Sequence, residues 1–389
     1  MSGSFRDNLI VTALHPDRLK KLAWFTVVTC LTLVMLGAFV RLSHAGLGCP
    51  DWPTCYGKLT WPKSDADVAV ANAAFPERPV EHHKTWPEQV HRHLAAILGL
   101  LVLGMSLWAS RAERFRWAAH GVPVALVLAA IHFYTEAAYG VAGALAIVAE
   151  LILLTAAWRW RDPVARLTAL TLMVIVFQAL LGKWTVTWQL KPFIVTAHLL
   201  GGMTTLTLLF LIAMKLTPQP RAPRLALSSL LLVAGFVVVA IQIALGGWVS
   251  TNYAALACPD FPRCQGQWWP ATDFGEAFVL WRGIGVDYEG GILDGAARTA
   301  IHLTHRLGAI VVTGVLLLLG WRCLRDPVLK VPGLVMLAAL GLQITFGISN
   351  VVFGLPLWVA TLHNGMAAGL LLSLAWIAVR RWPGAGATA

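Results

Sequence analysis

Residues 37–62, GAFVRLSHAGLGCPDWPTCYGKLTWP, return in altered form at 246–270 as GGWVSTNYAALACPDFPRCQGQWWP. Each copy runs from small residues at a helix end into Cys-Pro-Asp-aromatic-Pro-x-Cys-x-Gly and closes on Trp-Pro. Cys49 and Cys55 align with Cys258 and Cys264 without a gap. The separation is far longer than the roughly 20–50-residue unit of a solenoid. The chain therefore reads as two related halves, and chemistry carried by one half should have a counterpart in the other.

Of the 389 residues, 58% are hydrophobic and only 13% are charged. Apolar runs recur at about 20 residues, the length of helix that crosses a bilayer. The class is an all-α polytopic membrane protein. The net charge of +11 would suit a nucleic-acid partner only if it formed a patch, and its distribution excludes one. Eighteen of the thirty Lys and Arg fall in short segments on one side of the alternating spans, from Arg6, Arg18, Lys20 and Lys21 to Arg380 and Arg381. The opposite side is near neutral. Positive residues mark the cytoplasmic side, which puts both termini in the cytoplasm and the cysteine loops in the periplasm. The first apolar run, about 22–42, is too long for a signal-peptide core and has no cleavage site after it, so it reads as a retained span.

Ten helices are predicted near 22–42, 88–109, 118–134, 138–158, 164–186, 192–215, 225–250, 298–320, 328–351 and 357–379. Two long outer loops, 43–86 and 251–297, carry the cysteine pairs. A Pro-rich basic linker at 216–224 separates the halves. The second half has four helices and the first has six. Setting aside the hairpin 118–158 equalises them without changing orientation. The expected organisation is an N-terminal segment 1–21, a four-helix unit 22–215 with hairpin 118–158 inserted, the linker, a second four-helix unit 225–380 and a tail 381–389.

Alignment of the halves makes the histidines legible. His91-Arg92 matches His305-Arg306, and FQALLG (177–182) followed by Thr196-Ala-His198 matches LQITFG (342–347) followed by Thr361-Leu-His363. Each half thus places one histidine on its second and one on its fourth repeat helix, about 5–12 Å inside the outer end at 1.5 Å per residue. Two imidazoles from facing helices can ligate a haem iron axially, and helix bundles hold such cofactors in their cores. A single intramembrane histidine is as readily a packed one; four in repeat register point to two bis-histidine sites.

Glu88 lies three residues before His91, on the same helix face. The aligned residue in the second half is His302. A carboxylate there can transfer protons or stabilise developing positive charge, or it can simply favour the helix N-terminus. Arg92, Arg306, Arg41, Arg298, Lys183 and Lys191 lie near outer helix ends, where any could pair with a haem propionate or serve as an interfacial anchor.

Each C-x5-C pair, on an oxidising face, reads as an internal disulfide. Structural stapling and a redox role both remain open, stapling being favoured for Cys258–Cys264. Zinc is disfavoured, because each loop supplies two cysteines and the extra His82-His83 has no counterpart in the second loop. Cys30 and Cys323 read as packing residues, as do the unrepeated His15, His44, His120 and His132. Glu150, in the middle of the inserted hairpin, finds no role in the sequence.

The long motifs GAFVRLSHAGLGCPDWPTCYG, Glu88-x-x-His91-Arg92, TVTWQLKPFIVTAHLLGG, DYEGGILDGAARTAIHLTHRLGA and TLHNG resemble the bacterial haem A synthase family. The resemblance covers the chain except the first ~20 residues and the hairpin 118–158, beyond the eight-helix members of the family. It implies oxidation of the C8 methyl of haem O to a formyl group by two hydroxylations with water-derived oxygen, through a geminal diol, giving haem A for terminal oxidases. It further implies haem b held by His305 and His363, substrate haem O flanked by His91 and His198, Glu88 as catalytic acid, and Cys49–Cys55 and Cys258–Cys264 as the loop disulfides. The implied setting is the inner membrane, with an electron acceptor or donor, haem O synthase and a second copy of the chain as candidate partners. Two other classes compete. A dihaem electron-transfer cytochrome uses the histidines but not Glu88. A disulfide–quinone oxidoreductase uses the cysteines but not the histidines.

Overall fold

The computed structural model describes residues 3–218 and 227–381, with side chains from residue 17 onward. Most of the expected linker 216–224 and the tail beyond residue 381 lie outside the described residues, as does the side chain of His15. The described chain is helical, with no β-strand beyond two isolated bridges in the cysteine loops. Twelve helices follow one another: α1 (Gly3–Leu42), α2 (Asp65–Ala74), α3 (His82–Ala109), α4 (Arg116–Thr135), α5 (Tyr139–Arg159), α6 (Pro163–Thr187), α7 (Pro192–Leu216), α8 (Ser229–Thr251), α9 (Phe274–Ala277), α10 (Gly295–Leu324), α11 (Lys330–Val352) and α12 (Leu357–Arg381). Ten are long and apolar enough to cross a membrane; α2 and α9 are short helices within the cysteine loops.

Local chemistry sets several boundaries. Asp162 caps α6 by accepting from Val164 N and Ala165 N, with Pro163 in the first turn, where its missing N–H costs nothing. Asp294 caps α10 through Ala297 N, and Ser64 with Asp67 forms a reciprocal capping box on α2. Helix α3 starts at His82 rather than near 88. Pro87 looks like a first-turn proline, but the helix continues upstream of it through HHKTW. That polar turn lacks the apolar periodicity by which a span is recognised. It carries α3 past the apolar zone and under the first cysteine loop.

Helices α1, α3, α6 and α7 pack together, and α8, α10, α11 and α12 repeat the arrangement. The two groups meet where α1 packs on α12 and α7 packs on α8 and α12. One buried apolar cluster runs through both, from Val27, Met105 and Leu209 to Leu232, Leu316 and Leu374. Helices α4 and α5 lie at its edge, α5 contributing Leu153 to it. They pack on each other and through α5 on α6, touching α3 only slightly. Small alanines (Ala156, Ala165, Ala169) fill that seam, as close helix approach in a bilayer favours.

At the outer end the halves are tied by related residues. Arg41 Nη2 donates to Ser250 O (2.5 Å), its own counterpart in the repeat. His44 stacks on its counterpart Tyr253 with ring centroids 5.5 Å apart. Across the loops, Arg78 pairs with Asp287 and Glu289 (both 2.7 Å), and Lys84 reaches Glu289 at 3.3 Å.

Candidate functional site

The two cysteine loops fold alike. Cys49–Cys55 and Cys258–Cys264 are disulfides. Asp51 accepts from Tyr56 N (2.6 Å) and Gly57 N (2.8 Å); Asp260 accepts from Gln265 N (2.6 Å) and Gly266 N (2.9 Å). Those hydrogen bonds hold the Asp260 carboxyl below its ordinary range. Gly57 and Gly266 take φ of +73° and +72°, a region glycine enters without steric cost. All four cysteines are buried, at most 2% exposed, so neither disulfide is presented to a passing thiol.

Each loop is bolted to its bundle by the arginine that follows the first histidine. Arg92 Nη1 donates to Asp51 O (2.8 Å) and Thr54 O (2.7 Å), and Nη2 to Cys49 O (3.4 Å). Arg306 Nη1 donates to Arg263 O (2.8 Å), and Nη2 to Cys258 O (3.0 Å) and Asp260 O (2.8 Å). The terminal nitrogens of both guanidiniums are thus directed at loop carbonyls. Sequence reasoning reached these arginines as candidate propionate partners and missed their loop contacts, although the paired His-Arg and Cys-Pro-Asp motifs carried the signal.

The corner then differs. Glu88 is buried, 5% exposed. One carboxylate oxygen accepts from Cys49 N at 2.9 Å and the other from Arg92 Nη2 at 2.5 Å. In the second half His302, 6% exposed, stands in its place with Nδ1 3.0 Å from Ala254 O. Glu88 accepts a loop N–H, whereas His302 meets a loop carbonyl. The first loop comes close enough because residue 48 is glycine: a Cβ there would lie 2.4 Å from Lys84 O.

One turn further in, all four repeated histidines stand against glycine backbone on a neighbouring helix. A Cβ on Gly37 would lie 2.9 Å from His91 Nε2, and on Gly246 3.2 Å from His305 Cε1. On Gly182 it would lie 3.4 Å from His198 Cε1, and on Gly347 3.1 Å from His363 Cε1. His91 and His198 lie within electrostatic reach of each other, as do His305 and His363. Among the described residues no group of three or more His, Cys, Asp or Glu gathers to hold a metal ion. Two imidazoles alone leave a metal short of ligands, unless a macrocycle brings the equatorial donors. The donor set therefore fits haem, with an axial imidazole from each of two helices. The His198 ring is buried against the Gln178 backbone, as the His363 ring is against Gln343 O.

Glutamines surround the histidines, and sequence reasoning assigned them no role. Gln178 Nε2 donates to His198 O (2.9 Å). Gln242 Nε2 donates to His305 O (2.9 Å) and lies 3.1 Å from His305 Nδ1. Gln343 Nε2 lies 3.2 Å from His363 Nε2, while His363 Nδ1 lies 3.1 Å from Gln343 O. The signal was a Gln-x3-Gly spacing at 178–182, 242–246 and 343–347, which puts the amide and the histidine-facing glycine on one helix face.

The other candidates have local partners. Lys183 lies over the Tyr134 ring (4.2 Å), and buried Lys191 lies over Trp281 (3.4 Å) and donates to Arg282 O. Arg298 Nε donates to Asp294 O (3.3 Å). His120 is packed, with Nδ1 2.7 Å from Arg116 O and Nε2 2.8 Å from Ser106 Oγ, and His132 sits beside Phe133. Cys30 and Cys323 are buried and unbridged. Glu150 keeps a buried Oε1 with no hydrogen-bond partner.

A membrane helical bundle duplicated around two histidine pairs defines a class of haem-handling membrane protein. The family model described as cytochrome oxidase assembly protein matches residues 20–375, and the chain belongs to that family. It is similar to "Heme A synthase" of Shewanella oneidensis, 38% identical over 93% of this chain and 97% of that protein. Proteins of the same name from Sphingopyxis alaskensis (24% identical, 95% and 94% covered) and Shouchella clausii (25%, 92% and 93%) are also similar.

Proposed function

We propose that this protein is a haem A synthase, oxidising the C8 methyl of haem O to the formyl group of haem A. The observation that carries the reading is the unequal corner: two histidine pairs in one frame, with a buried carboxylate beside only the first. Family membership and the names of the relatives support the same reading. The net change is R–CH3 + H2O → R–CHO, releasing four protons and four electrons. It therefore needs a water, a proton acceptor and a membrane electron acceptor.

In this reading His305 and His363 would hold haem b, which would supply electron-transfer chemistry, and His91 and His198 would flank the substrate haem O. Glu88 is the catalytic carboxylate. Held by Cys49 N–H and Arg92, it is preorganised to accept a proton or to stabilise positive charge at the edge of the first pair, with no reorganisation at the moment of reaction. The Cys49–Cys55 disulfide closes the loop whose backbone N–H fixes Glu88, which favours a bracing role for it. A propionate contact at Arg92 or Arg306 would share donors already given to loop carbonyls. The buried disulfides weigh against a disulfide–quinone oxidoreductase, and Glu88 weighs against a purely electron-passing cytochrome. The organisation into units 22–215 and 225–380 with hairpin 118–158 inserted, and the inner-membrane orientation with both termini cytoplasmic and the cysteine loops periplasmic, belong to the same proposal. They rest on the repeat and on the basic inner segments.

The test is to supply haem O to membranes containing the protein under aerobic conditions and to extract the haems. Haem A should form. Its absence, with haem O taken up, would overturn the reading.

A further inference from the structure

One cation at the outer helix ends stands beside the first histidine pair without an anion of its own. Arg41, in the last turn of α1, follows Gly37 by four residues and so lies on the same helix face. That face meets His91: a Cβ on Gly37 would lie 2.9 Å from His91 Nε2. Arg41 is therefore one turn outward of the first pair. Its counterpart in the repeat is Ser250, so the second half supplies no cation at the matching place.

The side chain runs along the seam between the halves. Its Nη2 donates to Ser250 O at 2.5 Å, where the last carbonyls of α8 carry the negative end of the helix dipole. The guanidinium lies 4.4 Å over the centre of the Tyr253 ring. Its Nε is buried and has no hydrogen-bond partner. Among the described residues no carboxylate pairs with it. Glu289 acts on it from a distance, and that carboxylate is already shared by Arg78 (2.7 Å) and Lys84 (3.3 Å). Arg92 and Arg306 differ, being directed at loop carbonyls. A guanidinium taken out of water with a donor unspent and no carboxylate beside it is costly until an anion joins it.

We infer that Arg41 is a substrate-binding residue that holds a propionate carboxylate of the haem at the first pair. A macrocycle between His91 and His198 keeps its carboxylates out of the apolar zone by turning them to the outer end, the end at which Arg41 stands. A guanidinium matches a carboxylate in charge and in fork geometry. On haem O the C8 methyl shares a pyrrole ring with one propionate. Holding the propionates at the outer end therefore keeps that methyl on the side of Glu88 and away from the bilayer centre, so the contact would select which methyl is presented. The inference deepens the proposed function and rests on its assignment of the substrate haem to the first half.

The experiment titrates the purified holoprotein, its haem b in place, with ferric haem O and with the dimethyl ester of haem O, each followed by difference absorbance. The wild type should prefer the free acid. Arg41→Gln should cut the acid-over-ester preference about tenfold or more, the worth of one charge-assisted hydrogen bond, by weakening haem O while leaving the ester nearly unchanged. Comparing the ratio between variant and wild type cancels the different detergent partitioning of the two ligands. Arg41→Lys keeps a charge without the fork; it should lose part of the preference and serves as the readout if Arg41→Gln does not fold. An unchanged ratio in a folded variant overturns the inference. So does an equal weakening of acid and ester, which would leave Arg41 as a brace between the halves. A wild type that shows the preference, loses it in Arg41→Gln and yet makes no haem A overturns the proposed function and leaves this inference standing.

Discussion

The corner at Glu88 and the corner at His302 share a helix register, a following His-Arg pair three residues on, and a disulfide loop bolted by an arginine. They differ in what meets the loop: a carboxylate taking Cys49 N–H and Arg92 at 2.9 and 2.5 Å, or an imidazole against Ala254 O at 3.0 Å. The comparison teaches that duplication supplied the scaffold twice and that specialisation came from a few side chains. Those include Glu88 for His302 and Arg41 for Ser250.

The comparison breaks most sharply at Glu88. Glu88→Gln keeps the size of the side chain but removes the charge and replaces one of its two acceptor oxygens by a donor. Haem A formation should fall by about 10²-fold or more, the usual worth of a positioned acid or base, with bound haem b retained. His302→Gln, made at the matched position, should leave conversion within a few-fold of wild type. Chromatography of the extracted haems reads both. Equal losses in the two variants would end the distinction between the corners.

The arginines give the next largest difference, this time in stability. Arg92→Ala leaves a buried carboxylate without its charged partner, at a cost of about 3–5 kcal/mol. Arg306→Ala leaves only loop carbonyls unpaired, at about 1–3 kcal/mol. Melting of the two variants in detergent should therefore rank Arg92→Ala as the more destabilised, and a second change of Glu88→Gln should recover part of its loss.

The smallest difference lies in the loops. Lys58 pairs with Asp67 in the first loop, where the second has Gln267. That hydrogen bond, helped by the backbone N–H groups of Lys63 and Ser64, lowers the Asp67 pKa from 3.8 to about 2. A carboxyl with a depressed folded-state pKa stabilises the fold above its unfolded pKa and loses that contribution as pH falls through the folded one. Acidification between about pH 4 and pH 2 should thus loosen the first loop, and Lys58→Met should flatten that response while leaving the neutral-pH response to pH unchanged. Proteolysis of the loop across this window checks it.

Much of this was legible in the sequence because hydropathy and repetition are strong signals. Ten apolar helices, the hairpin between α3 and α6, and the register of His91, His198, His305 and His363 all follow from run length and alignment. The start of α3 was not legible, since the polar turn HHKTW before Pro87 imitates a loop. Nor were the loop contacts of Arg92 and Arg306, because a guanidinium near a helix end reads equally as an anchor or a propionate partner until carbonyls are seen around it. The glutamines escaped for a different reason. A lone amide in an apolar helix has no periodicity to betray it, and only the glycines facing the histidines give it meaning.

The division of labour between the halves is tested most directly by the haem b content of two matched variants, His91→Ala and His305→Ala, purified from the same host and read as the pyridine haemochrome. The expected result is that His91→Ala retains haem b at the wild-type level and His305→Ala loses it. Loss of haem b in His91→Ala to the same extent as in His305→Ala would contradict the assignment of cofactor to one half and substrate to the other.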